Sequence, residues 1–174
     1  MATASPNLRL EKDSIGTKEI PADVYYGIQT ARAVENYPIS GMKAHPTLIR
    51  AFGMVKRAAA EANKTLGLVD EKRASAIIQA SQEVIDGKWD HQFVVDVFQA
   101  GAGVSFHMNT NEVIANRAVE MLGSKLGDYS VVHPNDHVNY GQSTNDVFPT
   151  GMRHWSITAM WPSIIGWKCV NTSA

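Results

Sequence analysis

Two short polar stretches hold the side chains that could do chemistry: "GAGVSFHMNTN", residues 101–111, and "QSTND", residues 142–146. In the first, Gly101, Ala102 and Gly103 are small enough to let backbone approach a ligand, and Ser105, His107, Asn109 and Asn111 follow with hydrogen-bonding groups. In the second, the consecutive hydroxyl and amide side chains of Ser143, Thr144 and Asn145 stand where a helix is launched by "STNDVFPTGMR". A helix N-terminus presents unpaired N–H groups and the positive end of the dipole, which favour carboxylate or phosphate. Together the two stretches describe an anion site built from neutral donors. Each also has a plainer reading: "QSTND" alone is more often a capping segment, and an asparagine-rich helix face is often a buried structural network.

Other candidates are weaker. His133, Asp136 and His137 in "HPNDH" invite a metal reading, but Pro134 disfavours a regular i,i+4 helical pair and a turn explains Asn135 and Asp136, so no metal is expected. His107 reads as a packed or hydrogen-bonded histidine before it reads as a catalyst. Lys56 and Arg57 read as the solvated face of a helix. There is no Ser-His-Asp ordering, no phosphate-binding glycine loop and no nucleotide fingerprint, and no cofactor is expected. Cys169 lies in an anomalous tail and is not expected to act as a nucleophile.

The elements that must position these groups are helices. Apolar residues at Leu48, Phe52, Val55, Ala59, Ala62 and Leu66 stack on one helical face, with Pro46 suited to the first turn and Gly67 to the stop. A second helix is expected from Asp70 as N-cap, through Ile77, Ile78, Ser81 and Ile85, to Gly87, and the two should pair as a hairpin. From Met108 to Met121 a third helix is two-faced, with Ile114, Ala118 and Met121 on one stripe and Asn109, Glu112, Asn116 and Glu120 on the other. Residues 1–45 read as irregular chain with at most brief strands around "KEIPADVYYGIQT". In the last 20 residues, three tryptophans (Trp155, Trp161 and Trp167) and the sole cysteine gather, and Pro162 and Gly166 should interrupt the final helix.

A chain of 174 residues, 44% apolar and 19% charged, can bury one domain's core or part of a larger one. A net charge of -1 leaves no electrostatic footprint for nucleic acid or an anionic membrane surface. The single cysteine, with no signal-peptide core and no apolar stretch of spanning length, points to a cytoplasmic protein.

Three long segments in order, "GTKEIPADVYYGIQTARAVENYPISG", "GAGVSFHMNTNEVIANRA" and "HPNDHVNYGQSTNDVFPTGMR", resemble the N-terminal part of the aspartase/fumarase superfamily, from about Arg9 to Arg153. "YYGIQTARA" and "GMVKRAAAEAN" are more similar to the aspartate ammonia-lyases than to the class II fumarases, the nearest competitor. The resemblance implies a mainly α fold: an N-terminal lyase domain, residues 1–141, with short β segments near its start, then the beginning of a long central bundle helix, residues 142–174, atypical after residue 153. It implies a homotetramer whose active sites draw on three subunits, a small dicarboxylate substrate, and no nucleic-acid or membrane partner. The implied reaction removes a proton beside one carboxylate and expels ammonia from aspartate, or water from malate, to give fumarate. The aci-carboxylate intermediate needs preorganised donors.

Under this resemblance Ser143, Thr144 and Asn145 match the substrate-binding segment, and Gly103, Val104 and Ser105 the first substrate-contacting loop. The family usually has threonine at Val104 and asparagine at His107. Loss of the threonine hydroxyl costs about 1 to 3 kcal/mol if a buried substrate oxygen loses its donor, so either His107 compensates or substrate choice differs. His133, Asn135 and Asp136 match a segment that forms a second dicarboxylate site in fumarases. Arg32 matches an arginine that helps attract a dicarboxylate, and Asn109 lies on a polar face expected to turn toward the shared site and a subunit interface. The family's catalytic serine base sits on a glycine- and serine-rich loop in a later part of chains well over twice this length, and Ser143 is not that base. These 174 residues alone are therefore expected to be inactive, with the sequence after Arg153 departing from the family as a frameshift or truncation would make it. The reading outside enzymes is a catalytically incomplete helical module that binds partners through apolar surface.

Overall fold

The computed structural model describes residues 7–99 and 101–171, with side chains through Thr158. It opens with an antiparallel pair, β1 (Leu8–Lys12) and β2 (Thr17–Pro21), in which Arg9 faces Ile20 and Lys12 faces Thr17. Each strand buries one residue, Glu11 and Ile20, so the pair lies on the surface of a helical body. Five α-helices follow among the described residues, α1 (Ile28–Asn36), α2 (Pro46–Thr65), α3 (Glu71–Ile85), α4 (Val104–Met121) and α5 (Thr144–Asn171), with a 3-10 turn at Asp90–Gln92 and a π-helical turn at Pro134–Val138. The chain is mainly α, as the resemblance implied. No helix among the described residues is long and apolar enough to cross a membrane.

Local signals explain α2 and α3. Pro46 occupies the first turn of α2, where its missing N–H costs no hydrogen bond, and Gly67 takes a left-handed φ of 68° just past the end. The Asp70 carboxylate accepts from Arg73 N at 3.1 Å and caps α3, whose end is marked by Gly87 at φ 78°. Removing that cap with Asp70→Ala should lower stability by about 1 kcal/mol in urea unfolding, while Asp70→Asn, which keeps an accepting oxygen, should lose less.

Four expectations need correction. Residues 28–36 form α1 rather than irregular chain. The buried face of α2 is rotated: Ile49, Phe52, Lys56 and Ala60 are buried, whereas Leu66 is 69% exposed. Lys56, expected on the solvated face, is fully buried because its stem lies along that stripe and its Nζ meets two amide oxygens and a histidine ring nitrogen. Finally, α5 runs through Pro162 and Gly166, since a proline withdraws one backbone donor without ending a helix hydrogen-bonded on both sides. The side chains of Trp161, Trp167 and Cys169 lie outside the described residues.

The core gathers Phe52 from α2, Ile77 and Val84 from α3, Phe106, Val113 and Ile114 from α4, and Val147 from α5. An aromatic cluster fixes the start of α5. Phe52 meets Phe106 edge-on at 4.7 Å and Phe148 at 5.5 Å, and Gly151 sits so close to the Phe52 ring that an added Cβ would come within 2.6 Å of it. The first turn of α5 is therefore held against α2 and α4.

Candidate functional site

The residues singled out around positions 103–107 and 143–145 meet at two points. At the first, Gly103 precedes α4 with φ 92°, and its α-carbon lies under the Phe148 ring, where a Cβ would come to 2.1 Å. Gly103 thus serves backbone conformation and packing. One helical turn on, His107 Nδ1 lies 2.8 Å from Thr144 Oγ1. These two contacts tie the start of α4 to the start of α5.

Behind His107 stands Lys56. Its Nζ lies 2.7 Å from His107 Nε2, 2.8 Å from Asn139 Oδ1 and 2.9 Å from Gln142 Oε1. Burial pushes the Lys56 pKa well down. Burial, and then the neighbouring charge of Lys56, hold the His107 pKa down to about 3, so the ring is neutral at ordinary pH and is no base for substrate chemistry. Sequence reasoning missed Lys56. The available signal was an Ile49, Phe52, Lys56 and Ala60 stripe at helical spacing with a lysine inside it.

At the head of α5, Ser143 Oγ accepts from Asn145 N at 3.2 Å, and Ser143 O accepts from Val147 N at 3.0 Å. Ser143 and Asn145 are exposed and Thr144 is half-buried. Hydroxyls and an amide therefore stand at the positive end of a long helix, with Lys56 Nζ behind His107, the partner of Thr144. The arrangement can hold an anion.

Val104 and Ser105 line a separate groove of about 180 Å³ with Gln29, Arg32 and Met108. Val104 is 42% exposed there. The Arg32 charge is already paired: its Nε and Nη2 donate to Asp13 at 2.8 and 3.0 Å, which holds the Asp13 carboxyl below its usual range. His133 and Asn135 line an adjoining groove of about 240 Å³ with Asp13, Gln29, Met108 and Glu112, whereas Asp136 faces solvent. His133 Nδ1 accepts from the N–H groups of Asn135 and Asp136, and His137 Nδ1 accepts from His133 N at 2.8 Å. Both rings serve the turn at residues 133–138. Among the described residues no cluster of three metal-ligating groups occurs.

The polar face of α4 is mostly internal. Asn109 accepts from Val94 N at 3.0 Å and donates to Gln92 O at 3.0 Å, which removes it from the candidate site residues. Asn116 accepts from Gly127 N and donates to Tyr25 O. Glu112, fully buried, accepts from the backbone N–H groups of Gly27, Gln29 and Thr30 and from the Thr30 hydroxyl. These residues bind the N-terminal segment and α1 to the core. Asn109 and Asn116, expected to face a shared site, instead satisfy buried backbone, while Asn111 Oδ1 is one of four buried side-chain atoms without a partner among the described residues.

The family model described as "Lyase" matches residues 16–165. The chain is 59% identical over 156 residues to a fumarate hydratase class II of Halobacterium salinarum, covering 90% of this chain and 33% of that protein. It is 56% identical over 144 residues to an aspartate ammonia-lyase of Bacillus sp, covering 83% of this chain and 31% of that one. Among solved structures, fumarate lyase:delta crystallin from Brucella melitensis in native form superposes with a TM-score of 0.82 at 55% identity, over 84% of this chain and 34% of that one. The chain spans about a third of the length of the curated relatives it matches.

Proposed function

This chain belongs to the aspartase/fumarase superfamily of lyases, and from that premise we propose that it supplies carboxylate-binding residues to an enzyme that reversibly eliminates ammonia from L-aspartate to give fumarate. The observation that carries the reading is the head of α5, where Ser143, Thr144 and Asn145 gather at a helix N-terminus and Thr144 is braced through His107 by the buried Lys56. Thr144 and Asn145 would donate to one substrate carboxylate, with Ser143 beside them. When a base supplied by the rest of the enzyme takes the proton from the neighbouring carbon, the C–H electron pair passes into that carboxylate. It returns to form the double bond as the C–N bond breaks and ammonia leaves. Donors fixed before the reaction favour the charge-rich intermediate over the ground state.

The surrounding assignments belong to the same reading. Residues 1–141 form the lyase N-terminal domain and residues 142–174 open the bundle. Val104 and Ser105 would approach substrate from the groove they line with Gln29 and Arg32. His133, Asn135 and Asp136 form a second dicarboxylate site, and the assembled protein is a cytoplasmic homotetramer. The groups gathered at Thr144 are hydrogen-bond donors and acceptors, and His107 is too weak a base at a pKa of about 3. These 174 residues alone should therefore bind dicarboxylate without turning it over.

The 59% identity to a fumarate hydratase class II, beside 56% to an aspartate ammonia-lyase, supports a second reading in which malate replaces aspartate. Calorimetric titration of the chain with L-aspartate and with L-malate separates them: tighter aspartate binding supports the ammonia-lyase reading, and tighter malate binding the fumarase. Thr144→Val, which keeps shape and removes the hydroxyl, should weaken whichever ligand binds by about tenfold. Fumarate absorbance formed from either ligand by the chain alone would refute the expected inactivity.

A further inference from the structure

Two of the three neighbours of Lys56 Nζ can only accept. Gln142 Nε2 donates to Val138 O at 3.1 Å and Tyr140 O at 3.4 Å, and Asn139 Nδ2 donates to Gln142 O at 3.2 Å. The amide oxygens Oε1 and Oδ1 are thereby the atoms turned on Nζ, at 2.9 and 2.8 Å. An ammonium has three hydrogens and no lone pair, and contacts of 2.7, 2.8 and 2.9 Å match charge-assisted bonds. The third hydrogen then goes to His107 Nε2, so the ring proton resides on Nδ1 and is donated to Thr144 Oγ1. With His107 occupying a lone pair of Thr144, the hydroxyl hydrogen is free to turn to another acceptor.

We propose that Lys56 is a positioning residue: acting through His107, it fixes Thr144 as a hydrogen-bond donor toward a carboxylate at the N-terminus of α5. The inference rests on the dicarboxylate reading of that site and adds a relay drawn from α2, α4 and α5. A neutral amine would reverse the relay. Nε2–H would donate to Nζ, the Thr144 hydroxyl would donate to a bare Nδ1, and Thr144 would present only lone pairs to a carboxylate.

The test uses the 174-residue chain with nitrogen-labelled histidine, its ring tautomers read by long-range proton–nitrogen correlation at about pH 7. His107 is expected in the Nδ1–H form in the wild type and to lose that form in Lys56→Met. Succinate should bind Lys56→Met about tenfold more weakly than wild type. His107→Asn, whose amide can accept from Lys56 and donate to Thr144, should keep wild-type affinity, whereas His107→Leu should lose it. That pair decides the matter if Lys56→Met fails to fold. An Nε2–H ring in the ligand-free wild type overturns the relay outright. Unchanged succinate affinity in a folded Lys56→Met chain, or equal losses in His107→Asn and His107→Leu, overturns the positioning role. A wild-type chain that binds no succinate overturns the dicarboxylate reading and the positioning role with it, and the ligand-free tautomer keeps that failure distinct from failure of the relay.

Discussion

Glu112→Ala should destabilise the chain by about 3 kcal/mol or more, measured by urea unfolding, with α1 the first element to lose amide protection. The Glu112 carboxylate is fully buried and takes hydrogen bonds from Gly27 N at 2.9 Å, Gln29 N at 2.9 Å, Thr30 N at 3.0 Å and Thr30 Oγ1 at 2.6 Å. Gln29 and Thr30 lie in the first turn of α1, and Gly27 is its N-cap without a side-chain cap of its own. A glutamate distant in sequence thus does the work of a local capping residue. Removing it leaves four donors unpaired, each costing about 1 to 3 kcal/mol where water cannot reach. Glu112→Gln, which keeps one accepting oxygen, should cost less.

The same carboxyl sets a pH dependence. Burial pushes its pKa up to about 7, while the hydrogen bonds from Thr30 and Gln29 pull it down. Its folded pKa lies above the 4.5 ordinary for a glutamate, so the folded chain binds the proton more tightly than the unfolded chain between those values. The stabilisation from this group is complete below about pH 4.5 and is lost as pH rises to about 7. Relative to Glu112→Gln, which has no proton to release there, wild-type stability should fall across that window. A flat difference between the two would contradict the shift.

Gly103→Ala should cost about 3 kcal/mol and, under the proposed dicarboxylate reading, also weaken succinate binding, although residue 103 contributes no side chain. Two penalties add: a φ of 92° suits glycine and strains alanine, and the new Cβ would come to 2.1 Å from the Phe148 ring. Phe148 lies one helical turn after Thr144. Moving its ring away from Gly103 displaces the head of α5 and stretches the 2.8 Å contact between Thr144 and His107. Thermal unfolding and succinate titration should therefore fall together. Normal binding in a destabilised Gly103→Ala chain would separate the packing of Phe148 from the site.

The contrast between α2 and α1 shows what the sequence reveals and why it stops. Pro46, Gly67, Asp70 and Gly87 act on their own neighbourhood, so the limits of α2 and α3 were legible within a residue or two. α1 was not, because its cap is Glu112, more than 80 residues away in the chain, and no local pattern carries that partner. Lys56 was misplaced for the same reason. A lysine reads as solvated until the acceptors of His107, Asn139 and Gln142 are brought round it by the fold. The site fared likewise: the hydroxyls and amide of Ser143–Asn145 were legible as the head of a helix, whereas the contact of Thr144 with His107 and of His107 with Lys56 was not. Asn109 and Asn116 were conspicuous as poor helix formers, yet their acceptors and donors are backbone groups of distant loops rather than a ligand.

The measurement that bears most directly on the central claim is a succinate titration of the uniformly labelled chain followed through its backbone amides. Saturable shifts centred on Ser143, Thr144 and Asn145, with His107 moving alongside them, are the predicted result. Shifts confined to the groove of His133 and Asn135, or no saturable shifts at all, would contradict a carboxylate site at the head of α5.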